Sequence, residues 1–489
     1  MSLLPAPLPA FVFRPKQVQR EDAEHMENFF HLKEHGTNVK TEIAAGITTF
    51  MTMAYILIVN AGIFANLGTV SYGAIYIATA ISAIIGTVLI GLMANLPLAM
   101  ASGMGLNAFF VYTVCFTYGF TYANALVFVL VDGIVFVILT VTGLRRAIFN
   151  AIPAPVRMAI PAGIGLFIAF IGMQDAKLVI PNEATGVTLA SFNLLGRATW
   201  GSIMPLLVFI VGIALIAILS KREVKGAVIW GILAAGVLYY VLGITVPGFY
   251  TDFWASRSLN PISAFSDFFD QAFLKVFTEG FDFSAYLAGH SMASLVLNFC
   301  TTALAFCLVD MFDTIGTLYG ACARGDMLTA EGEVPNMDKA MLSDAIATCT
   351  GAVCGTSTVT TFVESSAGVG EGGRTGLTSL VTAACFLAAM FLSPIAGLIP
   401  TCAAAGALVY VGILMMSCVK DIEWGDPSVA VPAFMTMGMM VYTYSISYGI
   451  AFGIISCILV DLFTGKAREI KPSTWVIGIT FLLMFLLTH

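Results

Sequence analysis

Along the chain, apolar runs of membrane-crossing length alternate with short polar turns. The runs cover approximately 43–66, 72–95, 98–118, 123–142, 155–173, 202–220, 225–246, 292–320, 340–355, 356–371, 376–399, 402–418, 428–445 and 449–464, fourteen in all. A hydrocarbon core of about 30 Å takes about 20 helical residues, so the pattern predicts an all-α polytopic membrane protein. A last apolar stretch, 474–488, is short for a perpendicular span and is read as interfacial, re-entrant or a fifteenth crossing.

Two of the runs differ in kind. "LPLAMASGMGLNAFF" (96–110) and "GTSTVTTFVESSAG" (355–368) are short and rich in Gly, Ser and Thr. Segments that are extended for a few residues and then helical are tolerated at membrane depth only where they line a cavity. Each aims the unpaired N–H groups of a half-helix at that cavity, and the site is expected there. The two runs occupy matching places in two halves, because "PAGIGLFIAFIGM" (161–173) aligns with "AAGALVYVGILMM" (404–416). Seven crossings per half is an odd number, which predicts inverted repeats over 41–246 and 291–464.

Charge sets the orientation. With the N-terminus inside, Arg145, Arg146 and Arg157, then Lys221, Arg222 and Lys225, then Lys466, Arg468 and Lys471 fall in cytoplasmic turns. Only Lys177, Arg197, Arg257 and Lys275 of the 22 Lys and Arg fall outside, as the positive-inside bias requires. Residues 1–40 are expected to form a cytoplasmic leader, with "EHMENFFHLKEH" a short interfacial helix, 247–290 an acidic external loop, and 465–489 a basic turn with the last apolar stretch.

Composition agrees with a membrane domain: 58% of the 489 residues are hydrophobic and 10% charged, against about 25% charged in a soluble domain. The net charge of −7 comes without any basic stripe, which excludes nucleic acid as a partner. The ten cysteines form no CxxC pair and no His/Cys cluster, so they read as small apolar fillers, with no metal and no cofactor expected.

"ESSAGVGEGGRTGL" (364–377) resembles a phosphate loop in its spacing of Gly368, Gly373, Arg374 and Thr375, with Arg where Lys is required. A nucleotide site needs a preceding strand and that Lys. The run is read instead as a cytoplasmic turn whose glycines relieve crowding. Glu364 is a different matter, since a carboxylate near the bilayer midplane costs at least about 2.5–3.5 kcal/mol and normally faces a cavity or a partner.

In "FCLVDMFDTIGTLYG", Asp310 and Asp313 share one helical face, followed by Thr314 and Thr317. Two acids so close resist joint ionisation, as a proton-coupled carrier needs. Asn107 offers both a donor and an acceptor to a heterocycle edge. Asp132 and Asp344 have no pairing visible in the spacing and are read as structural, while Tyr55, Phe109, Phe110 and Phe362 are weaker candidates for stacking on a flat ring. Acids without an intramembrane cation suit a neutral or cationic ligand rich in N–H donors. Nucleobases, amines and bare cations all meet that description. An enzyme would need a nucleophile or metal cluster that the sequence lacks, whereas a channel stays open as an alternative.

At "TEIAAGITTFMTMAYILIVN", "ASGMGLNAFF", "DMFDTIGTLYG" and "VESSAGVGEGGRTGL" the chain resembles the AzgA-like purine permeases of the nucleobase:cation symporter 2 family, also called nucleobase-ascorbate transporters. The resemblance implies a UraA-type fold, fourteen spans in two inverted sevens, with a core domain (spans 1–4 and 8–11) and a gate domain (5–7 and 12–14). It implies that Asp310 and Glu364 hold the base, that Asn107 and Asp313 occupy functional positions, and that Asp313 and Thr314 support the site or the proton. It further implies a cell-membrane symporter of purine bases, coupled to protons in preference to Na⁺, with a homodimer as the oligomer carried forward. Hypoxanthine and guanine are favoured, because N1–H, and in guanine the 2-amino group, give a carboxylate parallel donors. An adenine-preferring permease, or a cation or small-solute channel or carrier, is the alternative.

Overall fold

The computed structural model describes residues 27–143, 152–196, 198–247, 249, 261–329, 333–468 and 470–488. Residues 1–26 of the expected leader, and Arg145, Arg146, Arg197 and Arg257 of the charge argument, lie outside these. Within the expected interfacial helix, residues 27–29 are helical and turns follow, with Phe30 and Leu32 packed on Leu377.

Helices occupy every expected segment. Among the described residues, eight are long and apolar enough to cross a bilayer: Val39–Ala65, Tyr72–Met93, Tyr122–Thr142, Ala154–Asp175, Trp200–Lys221, Met292–Arg324, Thr401–Asp421 and Ile446–Phe463. Met104–Thr117, Ala227–Gly243, Gly376–Met390, Pro427–Tyr442 and Pro472–Leu486 are apolar but shorter. Starts are set by side-chain caps: Ser71 Oγ accepts from the Ala74 N–H at 3.1 Å, and Thr121 with Asn124 forms a reciprocal capping box. The final helix, Pro472–Thr488, packs on Met292–Arg324 and Ile446–Phe463.

Two packed groups emerge. One joins Val39–Met53, Tyr55–Ala65, Tyr72–Met93, Tyr122–Thr142, Met337–Cys354 and Gly376–Met390; the other joins Ala154–Asp175, Trp200–Lys221, Ala227–Gly243, Thr401–Met415, Pro427–Tyr442 and Ile446–Phe463. They correspond to the expected core and gate. Lipid offers no hydrophobic drive between helices, so close approach through small residues carries the packing. A Cβ on Gly376 would sit 1.9 Å from Gly91 O in the core, and one on Gly165 would sit 2.6 Å from Gly412 O in the gate. The latter pair belongs to the aligned segments 161–173 and 404–416. Gly165 meets Gly412 while Gly172 meets Ala405 and Leu408, so these equivalent helices run antiparallel, as an inverted repeat demands.

Two features depart from the hydrophobic pattern. Strands β2 (Val179–Asn182) and β3 (Gly186–Leu189) form an exposed antiparallel hairpin that no alternation announced. The expected external loop is folded onto the core in its described part, with Asn124 Nδ2 donating to Gly280 O and Asp282 O, both at 2.8 Å. Its short helices Lys275–Thr278 and Ser284–Leu287 bury Val276 and Tyr286.

Candidate functional site

The two Gly/Ser/Thr-rich runs meet. Strand β1 (Met100–Ser102) pairs antiparallel with β4 (Val359–Thr361) in the register Met100 to Thr361 and Ser102 to Val359. Outside that ladder, the Gly103 N–H donates to Thr358 O and the Phe362 N–H to Ala99 O, each at 3.0 Å. Each run therefore supplies the backbone partners the other lacks, the condition for extended chain inside a membrane domain. A helix follows each strand at once: Met104–Ala108 continues as the wider turns of Phe109–Thr117, and Ser365–Gly370 begins directly after Glu364.

Glu364 is held from the first helix. Tyr55 Oη donates to Glu364 Oε1 at 2.6 Å, and Thr52 Oγ1 donates to Glu364 O at 3.3 Å. The carboxylate is only partly buried. Across from it stands Asp313, close enough to interact electrostatically and also partly buried. A Cβ built on Gly103 would lie 3.8 Å from Asp313 Oδ2, so the aspartate sits against the start of the first half-helix, where the helix dipole favours negative charge.

Asp310 is directed elsewhere. It is fully buried, accepts from Thr348 Oγ1 at 3.3 Å, and interacts with Asp344, Asp132 and Asp313. Asp132 accepts from Thr358 Oγ1 at 3.4 Å and is 1% exposed. Among the described residues, Asp310 Oδ1 and Asp132 Oδ1 have no hydrogen-bond partner. A line of carboxyls thus runs from the core interior, Asp132, Asp344 and Asp310, through Asp313 to Glu364. Spacing along the chain gave no sign that Asp132 and Asp344 join Asp310, because they come from helices far apart in sequence.

The remaining candidates are placed as follows. Thr314 Oγ1 and Thr360 Oγ1 share a hydrogen bond of 2.6 Å, tying the Asp313 helix to β4. Asn107 is fully buried; its Nδ2 donates to Ser102 O at 3.2 Å, and its Oδ1 has no partner among the described residues. Phe109 is buried against Phe306 with ring centroids 4.9 Å apart, and Phe362 is 6% exposed at the end of β4. Tyr55 bears on the site through its hydroxyl.

A cavity of about 600 Å³ lies between core and gate. Its walls include Ile58, Val59 and Gly62 on one side and Asp175, Leu398 and Leu408 on the other. Ile58 and Val59 follow Tyr55 by one helical turn and share its face. Glu364 and Asp313 are not part of this lining; the cavity and Glu364 are linked through Tyr55, one helical turn before Ile58.

The phosphate-loop-like run binds an anion after all, one supplied by the chain itself. Glu42, fully buried, accepts from the N–H groups of Arg374 at 2.9 Å and Thr378 at 3.1 Å and from Thr378 Oγ1 at 2.6 Å. Its carboxylate occupies the N-terminus of Gly376–Met390, and Arg374 Nη1 turns back onto Val369 O and Gly373 O at 2.7 and 2.8 Å.

Residues 40–452 match the family model Xan_ur_permease, described as a permease family. A putative permease, MJ0326, of Methanocaldococcus jannaschii is 40% identical over 94% of this chain and 98% of its own. The guanine/hypoxanthine permease PbuO of Bacillus subtilis is 38% identical over 92% and 98%, and the adenine permease AdeP of Escherichia coli 36% identical over 94% and 95%. Among solved structures, the transmembrane domain of a cyanobacterium bicarbonate transporter, BicA, superposes with a TM-score of 0.57 at 15% identity, covering 84% of this chain and 97% of that one. SLC26A9 gives 0.56 at 11%, covering 94% and 73%. At such identities the likeness shows the fold alone, and that fold is the UraA type. By sequence and architecture together, the chain belongs to the Xan_ur_permease family, the nucleobase:cation symporter 2 family, and is a multi-pass membrane permease rather than an enzyme.

Proposed function

We propose that the chain imports purine nucleobases across the cell membrane by proton symport, with Glu364 as the principal substrate carboxylate. The observation that carries this reading is the pair Glu364 and Asp313, the first at the start of one half-helix and the second brought by its long helix against the start of the other, with Tyr55 fixing one oxygen of Glu364. A carboxylate so held accepts the N1–H that hypoxanthine and guanine share and, from guanine, the parallel 2-amino donor as well. Relatives named for guanine/hypoxanthine and for adenine both support a purine cargo. The 6-oxopurines are preferred here for their donor pattern.

Protonation from outside neutralises one acid of the Asp310, Asp313 and Glu364 group, which lowers the cost of moving the loaded site through a low-dielectric interior. The core domain then moves against the gate, by an elevator-like or rocking displacement, and the higher cytoplasmic pH releases proton and base. Asp310 serves this scheme through the acid line, and Asn107 and Thr314 by fixing the two strands.

The test is uptake of labelled hypoxanthine by cells lacking their own purine carriers, at acidic and neutral external pH, with unlabelled guanine, adenine, xanthine and uracil as competitors. Saturable, acid-stimulated uptake blocked by guanine and not by adenine is the expected outcome. Block by adenine alone moves the cargo within the same mechanism, whereas absence of accumulation of any base rejects it. Glu364→Gln is expected to abolish high-affinity uptake with the protein still in the membrane.

A further inference from the structure

Three features are ordered along the first helix pair. Met51 O lies 2.8 Å from where a Cβ on Gly226 would be, Thr52 and Tyr55 hold Glu364, and Ile58, Val59 and Gly62 line the cavity. The stretch from Met51 to Ile58 covers about 10 Å of helix rise. On one side of Glu364 there is open volume; on the other, a gate segment lies directly against core backbone.

That gate segment is the turn before Ala227–Gly243. Gly226 takes a left-handed conformation, φ 69°, which seats the turn on Met51 without a side chain in between. Its neighbour Lys225 reaches across to the core, with Nζ 2.7 Å from Glu371 Oε2. Glu371 caps the C-terminal end of Ser365–Gly370, the short helix whose first flanking residue is Glu364. Glu364 and the ion-paired Glu371 thus flank the two ends of one short helix, and displacing that helix from the gate separates Lys225 from Glu371.

We propose that Lys225 and Glu371 form a latch between gate and core, a pair of positioning residues that holds the Glu364 half-helix against the gate in the state in which the cavity between core and gate is open. The inference rests on the transport reading above, in which core and gate move relative to one another. The latch breaks when the core moves and the site turns to the side of Lys225, the cytoplasmic side by the positive-inside assignment. Its two side chains are 55% and 36% exposed, so the pair is screened, contributes modestly and breaks readily. A latch that opens once per cycle requires this.

The test uses the full chain in cells, with a reporter cysteine at Ala404, which lines the cavity, and an impermeant maleimide added outside. Labelling above that of the parent chain reports how often the cavity is open outward. K225E and E371K are each expected to slow reporter labelling about threefold, within the range that exposed ion pairs support, and to raise KM for the external base more than they lower the maximal rate. The double swap K225E/E371K is expected to restore both. Should a reversal fail to reach the membrane, K225Q and E371Q are read in the same way. Unchanged labelling in the single variants, or labelling slowed further in the swap, overturns the latch. Labelling needs no substrate, so a chain that labels as expected yet accumulates no purine rejects the cargo reading and leaves the latch standing.

Discussion

Tyr55 illustrates what a sequence reading assigns and what it cannot. Its aromatic ring suggested stacking on a flat substrate, while the structure gives its hydroxyl to Glu364 at 2.6 Å. Tyr55→Phe separates the two roles, because it keeps the ring and removes only the donor. A hydrogen bond to a carboxylate contributes about 1.5–3 kcal/mol, so the variant is expected to raise the KM for uptake by about tenfold or more at normal membrane abundance. An unchanged KM would return Tyr55 to the stacking role. Glu364 and Asp313 were legible because charge inside an apolar run is costly and so stands out. Asp132 and Asp344 were equally visible as charges, yet their association with Asp310 was hidden, since no local spacing encodes which distant helices pack together.

Among elements, the broken segments were the most legible, because Gly, Ser and Thr runs cannot form a lipid-facing helix. What the sequence did not reveal was that the two runs complete each other as a two-stranded ladder between β1 and β4. The β2–β3 hairpin was missed because β3 is exposed on both faces and β2 is half-buried only at Val179 and Ile180, which leaves no alternation to read. The glycines of the 364–377 run show a second kind of legibility. Their reading as relief of crowding is supported at Gly376, where a Cβ would lie 1.9 Å from a backbone oxygen of the neighbouring helix. Gly376→Ala is expected to cost about 3 kcal/mol through forced separation of the two helices, seen as a lowered thermal midpoint of the purified protein in detergent. Gly320→Ala, on an open face of Met292–Arg324 with nothing within 4 Å, is the control and is expected to be neutral or slightly stabilising. Equal midpoints for the two variants would remove the close-packing account.

At the scale of the molecule, the fold is one in which neither half is complete. One alignment of apolar sequence led to the expectation of inverted halves, and the two aligned segments pack antiparallel, as that expectation requires. The core takes Val39–Met53 and Tyr72–Met93 from one half and Gly376–Met390 from the other, and the β1–β4 ladder joins the halves at the site. Residues 1–246 expressed alone are therefore expected to be degraded, and co-expression with residues 247–489 to restore both abundance and uptake. Stable accumulation of the first fragment by itself would contradict this interdependence.

The Glu42 carboxylate sets a clock on how the chain is made. Its partner Thr378 lies 336 residues downstream, and at about 5–20 residues per second a ribosome needs between about 15 and about 70 seconds to supply it. Throughout that interval the helix Val39–Met53 carries a carboxylate whose ligands among the described residues, Arg374 to Thr378, have not yet been synthesised. The earliest part of the chain is thus among the last to settle, and the membrane insertion machinery has to shelter an unfinished helix for most of translation.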